Sequence, residues 1–192
     1  MLTRIALTLA ALSAPALAQA PAPQAGLVPV AIETGLGRIV VVLDEAHAPL
    51  TTANFLAYAD AHKFDGETFY RAMRYGEGGL IQGGISSDAR KLNPPVPFES
   101  SGRTGIHNTV GSIAMAAFAP GTAQADFFIE TTDIPAFDGA NGFAAFGHVV
   151  EGMDVVKAIL AAPVSATKGE GPMKGQMLEP PVNILKVERV RK

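Results

Sequence analysis

The chain has 192 residues, 48% of them hydrophobic, with a formal net charge of −3. That length suits one domain, and a slightly acidic chain with no basic run beyond Arg189–Lys192 carries no electrostatic footprint for nucleic acid. The absence of Cys excludes disulfides, thiolate chemistry and a Cys-linked lipid anchor, while 20 Gly and 14 Pro fit a β-rich fold with many turns.

Residues 1–18 have the pattern of a secretory signal peptide. Arg4 supplies the positive n-region, Ile5–Leu12 the apolar core, and Ala16-Leu17-Ala18 the A-x-A cleavage pattern. The apolar run falls short of the roughly 20 residues a membrane span needs. Residues 19–26, with Pro21 and Pro23, are expected to be a disordered lead-in, and residues 27–192 the folded domain. The expected location is outside the cytoplasm, in the periplasm if the host is Gram-negative, with no membrane attachment after cleavage.

Two β runs, Val28–Thr34 and Arg38–Leu43, flank Gly35-Leu36-Gly37, where glycine supplies the positive φ of a tight hairpin. Pro49 then precedes a helix with Thr51 or Thr52 as cap and Ala53–Ala61 as body, its core stripe being Phe55, Leu56 and Ala59. After a turn at Phe64–Glu67, the alternation in a strand over 68–73 puts Phe69, Arg71 and Met73 on one side and Thr68, Tyr70 and Ala72 on the other. Leu80–Gly84 reads as a short strand ending in two glycines.

The prolines of Ile85–Pro97 predict loop or sheet edge, and Phe98-Glu99 begins the next extended piece. Strands are predicted at Ser112–Ala116, Phe127–Thr131 and Phe146–Val150. Loops fall at Phe118–Ala125 and Asp133–Gly142. Met153–Ala161 is a second helix, apolar at Val155, Val156, Ile159 and Leu160. Ala162–Pro181 reads as a long loop and Val182–Val190 as the closing strand. Many short strands with two helices predict a mainly β, closed antiparallel barrel capped by helices, and pattern alone leaves a sandwich open.

Arg is rarely buried unpaired, so Arg71 between two apolar side chains either finds a carboxylate or lines a cleft. Four scattered His residues (47, 62, 107, 148) lack metal-ligand spacing, so neither a metal nor another cofactor is expected. No G-x-S-x-G elbow marks a hydrolase.

Four stretches occur in one order: Phe69-x-Arg71 followed by Ile81-Gln82-Gly83-Gly84; Gly111–Ala116; Asp126–Ile129; and Phe146–Met153. Together they resemble the cyclophilins, the cyclophilin-type peptidyl-prolyl cis-trans isomerases, across roughly Val28 to Val190. The resemblance implies an eight-stranded barrel. It implies that Arg71 is the catalytic residue and that Gln82 contacts substrate backbone and steadies Arg71. It places Phe128 on the floor of a proline pocket, with Leu80, Phe137 and Phe143 around it, and Ala116 and Asp126 at peptide-contact positions. Asp126 stands where the family has Gln, and the charge predicts a pairing with Arg71 or another nearby cation. Other departures are Gly79 for a pocket Phe, Ala117 for Asn, Ala136 for Trp, and three extra residues in the Arg74–Gly78 loop. Tyr75 would fold back to replace the missing ring. Loss of the Trp implies insensitivity to cyclosporin-like ligands.

The implied reaction breaks no bond. Rotation about a peptide C–N bond is opposed by roughly 18–20 kcal/mol of amide resonance, and before proline the two planar isomers differ by only about 0.5–1 kcal/mol. A site that holds the twisted bond better than either planar form accelerates exchange. Arg suits such a site because it keeps its charge and presents several N–H groups in a fixed fork. The expected partners are proline-containing unfolded or extended polypeptides, served by a monomer. The competing reading is a cyclophilin-fold module that binds peptides with little or no turnover.

Overall fold

The structure is a computed structural model that describes residues 26–86 and 88–190. The signal-peptide assignment, residues 1–18, lies outside the described residues, as does all of the lead-in except Gly26.

Eight strands form a closed antiparallel ring in the order β1 (Leu27–Thr34), β2 (Gly37–Asp44), β7 (Ala144–Glu151), β5 (Ser112–Met115), β6 (Phe127–Glu130), β4 (Gly78–Gly84), β3 (Thr68–Tyr75) and β9 (Met177–Arg189). Pairing of β9 with β1 shuts the barrel, so no edge remains in the ring. A two-residue strand, β8 (Val164–Ser165), is appended to the start of β9. The expected barrel is therefore present, and the sandwich is excluded.

Alternation decides what enters the barrel. Val30 and Ile32 of β1, Ile39, Val41 and Leu43 of β2, and Phe127 and Ile129 of β6 are fully buried in one core. Helix α1 (Pro49–Asp60) adds Phe55, Leu56 and Tyr58, and helix α3 (Met153–Ala161) adds Val156, Ile159 and Leu160. Phe55, Phe64, Phe69, Phe127 and Phe146 pack ring on ring, from 5.1 Å between Phe55 and Phe64 to 5.7 Å between Phe69 and Phe127. Most of these pairs are tilted or edge-to-face, the arrangements aromatic quadrupoles favour.

The structure corrects four expectations about the elements. A third helix, α2 (Ser101–Thr104), of one turn, joins the two predicted. No strand begins at Phe98-Glu99. Instead Glu99, 4% exposed, receives the backbone N–H of Leu50 at 3.2 Å and of Thr51 at 2.7 Å, together with the Thr51 hydroxyl at 2.7 Å. It thus caps α1 from a distant loop, satisfying orphan N–H groups and placing negative charge at the positive end of the helix. Thr51 and Thr52 are inside the first turn and do not cap it. The segment read as a loop up to Pro181 already holds the first residues of β9. Opposite β3 the register of β9 jumps from Val182↔Phe69 to Met177↔Arg71, so Pro180 and Pro181 fall where no ladder bond to β3 is needed.

Candidate active site

The site begins with an irregularity in β3. Between Phe69 and Arg71 the register shifts against both neighbours, β4 and β9. A bulge breaks strict alternation. Phe69 and Ala72 both enter the barrel core, while Tyr70, Arg71 and Met73 make their contacts outside it. The expectation that Arg71 shares a face with Phe69 is therefore wrong, because alternation cannot register an extra residue.

Outside the barrel, pairing lines up a row across five strands: Arg71 opposite Gln82, Gln82 opposite Phe128, Phe128 opposite Ala114, and Ala114 opposite Ala145. Around the far part of this row Leu80, Ala114, Phe128, Ile134 and Ala145 form a second apolar cluster, separate from the core. Met73, Ala116, Phe137 and Phe143 pack on it while remaining partly exposed. The three phenylalanines meet pairwise, edge to face. Phe128 is 5.7 Å from Phe137 and 5.2 Å from Phe143, and Phe137 is 4.8 Å from Phe143.

Two loops hold that trio. Phe137 ends a 3-10 turn at Pro135–Phe137, and the Phe143 N–H donates to the Phe137 carbonyl at 2.8 Å. Such a tight return requires Gly142, since a Cβ there would stand 1.9 Å from the Phe137 oxygen. The Asn108 amide, 1% exposed, donates to the carbonyls of Phe137 at 3.0 Å and Phe143 at 3.3 Å and to the Asp138 carboxylate at 2.9 Å.

At the other end of the row the Arg71 guanidinium is gripped from two sides. Nη1 donates to Gln82 Oε1 at 2.7 Å, and Nε donates to Gln176 Oε1 at 2.8 Å. Gln176 is itself fixed, its side-chain amide donating to the Pro172 carbonyl at 2.9 Å and its main-chain carbonyl accepting the Ala72 N–H at 2.9 Å. Among the described residues Nη2 meets only the Met73 sulfur, at 3.4 Å, which is a weak acceptor. Burial lowers the Arg71 pKa from its ordinary value, yet a guanidinium starts so high that it stays charged.

Behind Gln82 the network continues. Gln82 Nε2 donates to the Tyr70 hydroxyl at 2.6 Å, and the Tyr70 hydroxyl donates to Asp126 Oδ2 at 3.0 Å. Asp126 Oδ1 is buried without a hydrogen-bond partner among the described residues. Burial pushes the Asp126 carboxyl up, the Tyr70 bond pulls it back, and Glu67 adds to the rise. Burial, then the neighbouring Asp126, raises Tyr70.

Arg71 and Gln82 are thus in direct contact, and Leu80, Ala116, Phe128, Phe137 and Phe143 share one cluster. Asp126 does not pair with Arg71: two neutral side chains stand between them, and no ion pair reaches Asp126 among the described residues. Tyr75 does not fold back, being 53% exposed beyond the cluster at the end of β3. Nor could Gly79 carry the missing ring, because its φ is +148° and a Cβ would lie 1.9 Å from the Met73 carbonyl oxygen. Three contributors escape sequence reasoning: Gln176, 105 residues from Arg71, Tyr70, assigned to the opposite face, and Asn108. Only the amide and hydroxyl chemistry of these residues hints at a role, and their local pattern does not.

Residues 29–189 match the family described as cyclophilin type peptidyl-prolyl cis-trans isomerase/CLD. A peptidyl-prolyl cis-trans isomerase of Acinetobacter baylyi is 32% identical over 98% of this chain and 96% of its own length. One from Streptomyces antibioticus is 34% identical over 73% of this chain and 87% of its own. Among solved structures, a cyclophilin type peptidyl-prolyl cis-trans isomerase of Cryptosporidium parvum superposes with a TM-score of 0.72 at 19% identity, covering 86% of this chain and 99% of that one. A second structure of that protein, in the presence of the dipeptide Ala-Pro, superposes with a TM-score of 0.70 at 20% identity over 85% of this chain and 99% of that one. The chain belongs to the cyclophilin-type peptidyl-prolyl cis-trans isomerases, enzymes that interconvert the isomers of the peptide bond before proline.

Proposed function

We propose that this protein assists the folding of exported polypeptides by rotating X-Pro bonds, with Arg71 as the catalytic residue. The observation that carries the reading is the Arg71 guanidinium, held by Gln82 and Gln176 at one end of a strand row whose other end is an apolar cluster, Phe128 and Leu80 buried beneath the partly exposed rings of Phe137 and Phe143. Neighbouring strands are about 4.8 Å apart, so the Arg71 and Phe128 backbones stand roughly 10 Å apart, room for an extended tripeptide around the X-Pro bond.

Held against the Phe137 and Phe143 rings above the Phe128 floor, the proline ring stays still while the preceding carbonyl turns. As resonance is lost, the nitrogen lone pair localises and becomes an acceptor. Nη2 of Arg71, bonded to no oxygen among the described residues, is the donor available to it. Because the guanidinium is fixed before substrate arrives, little reorganisation is needed during the reaction, and the donor is worth most in the twisted state. Gln82 and Ala116 border the path of the peptide backbone. The export part of the reading rests on the leader pattern of Met1–Ala18.

The test is cis–trans exchange in an Ala-Pro-containing peptide, measured by NMR with and without the purified protein. Acceleration supports the reading. Saturable binding with unchanged exchange would make the protein a peptide-binding module instead. Export is tested by fractionating the host: a processed chain outside the cytoplasm supports it, and a full-length cytoplasmic chain refutes it.

A further inference from the structure

The Gln82 amide has two orientations of nearly the same shape, and only one offers Arg71 an acceptor. Turned the other way, it would point an NH2 group at the guanidinium, donor against donor. The choice is therefore fixed by whatever stands behind Gln82, which is Tyr70 and then Asp126.

With Asp126 ionised, the order of donors is fixed: the carboxylate only accepts, so the single Tyr70 proton points to Asp126 Oδ2, at 3.0 Å. The Tyr70 oxygen is then left to accept, and it takes the Gln82 Nε2 proton at 2.6 Å. That leaves Gln82 Oε1 facing Arg71 Nη1 at 2.7 Å. Every donor points the same way, from cation to anion, so each bond polarises the next.

Asp126 is an expensive terminus. Its second oxygen is buried without a partner among the described residues and is so close to Gly84 that a Cβ there would lie 2.6 Å away. The charged or titratable groups around it are Tyr70 on β3, Glu67 in the turn before β3, and Tyr58 on α1. None of these, among the described residues, is a cation, and Glu67 is itself held by Lys91 at 2.6 Å. An uncompensated buried carboxyl beside an apolar barrel gains nothing for stability. Its one hydrogen bond leads to the candidate catalytic arginine.

We propose that Asp126, acting through Tyr70, locks the Gln82 amide in the orientation that holds Arg71, making Asp126 and Tyr70 positioning residues for catalysis. This rests on the reading of Arg71 as the catalytic residue. Neither residue needs to touch the peptide, so the defect from losing either falls on kcat and spares KM.

The experiment compares Tyr70→Phe, Asp126→Leu, the double variant and Arg71→Ala with the full wild-type chain, by exchange kinetics and by the Arg71 Nη1–H resonances, the ones bonded to Gln82, in 15N-edited spectra. Tyr70→Phe keeps the ring and removes only the hydroxyl, so it remains informative if Asp126→Leu fails to fold. It should lower kcat about tenfold with KM within about twofold, by analogy with removal of one preorganising hydrogen bond. The double variant should be no slower than the worse single one, since both break one chain. The Arg71 Nη1–H signal should be sharp in the wild type and broaden in all the Tyr70 and Asp126 variants. If Tyr70→Phe leaves both kcat and that signal unchanged while Arg71→Ala is slow, the positioning proposal is overturned and the catalytic assignment survives. If the signal broadens but Arg71→Ala is as fast as wild type, the positioning geometry is supported and the catalytic assignment fails.

Discussion

Glu130 lies on β6 opposite Leu80, fully buried, with the Ser112 hydroxyl donating to one carboxyl oxygen and, among the described residues, no partner on the other. Burial pushes its pKa up to about 8, against 4.5 in the open chain. The Ser112 bond pulls it down, and Asp138 and Asp133 raise it further. The folded protein therefore keeps a proton that the unfolded chain loses as pH climbs through 4.5. Stability drains away between those two values and levels off above the upper one. Glu130→Gln abolishes this dependence. The variant should gain melting temperature over wild type near pH 9 and little or none near pH 5, as checked by thermal unfolding at both. An equal shift at both values would mean that Glu130 ionises normally. At this scale the sequence was readable only through motifs. Arg71, Gln82 and Phe128 stand at matched positions, whereas Tyr70, Gln176 and Asn108 act through amide and hydroxyl groups brought together from separate segments. Glu130 itself sits in an apolar strand where composition alone gives no reason to expect a carboxyl.

The β3–β4 hairpin decides how the site is presented. Its bulge turns Tyr70 and Arg71 outward together, and its close approach at Gly79 leaves no space for a side chain. Gly79→Ala would place a Cβ against the Met73 carbonyl and force an L residue to φ near +148°. The loss should be on the order of 2–4 kcal/mol, read by chemical denaturation, from strain plus the clash. For the same reason Gly79→Phe should unfold or distort the hairpin and should not raise activity. A stable, more active Gly79→Phe protein would show that the pocket can rebuild there. Both long helices and most strands were legible because periodic apolar residues carry them, as in α3 with Val156, Ile159 and Leu160. Bulges and remote caps were not, because each depends on a partner far away in sequence. Glu99 reads as strand until it is seen on the first turn of α1, and the first half of β9 reads as loop because it carries Pro180 and Pro181.

For the molecule as a whole, barrel closure makes the site possible, since only the outer register of β3, β4, β6, β5 and β7 brings Arg71 and Phe128 into one row. Ala136 lies exposed at the rim beside Phe137, and Ala117 and Gly79 likewise present no large or polar group. Few groups remain to reject a residue before proline, so turnover across a panel of X-Pro peptides differing only at X should vary within roughly tenfold, about 1.4 kcal/mol. A thousandfold spread would show that the site reads X strongly. Such breadth fits a general folding assistant better than a regulator of one partner. The central claim is that a fixed Arg71 stabilises the twisted bond, and one comparison tests it most directly: X-Pro exchange catalysed by wild type and by Arg71→Ala, with the fold of each verified by circular dichroism. Turnover should fall about a hundredfold, roughly 2.7 kcal/mol of transition-state stabilisation, in a protein that remains folded. A folded Arg71→Ala protein that isomerises as fast as wild type would contradict the claim.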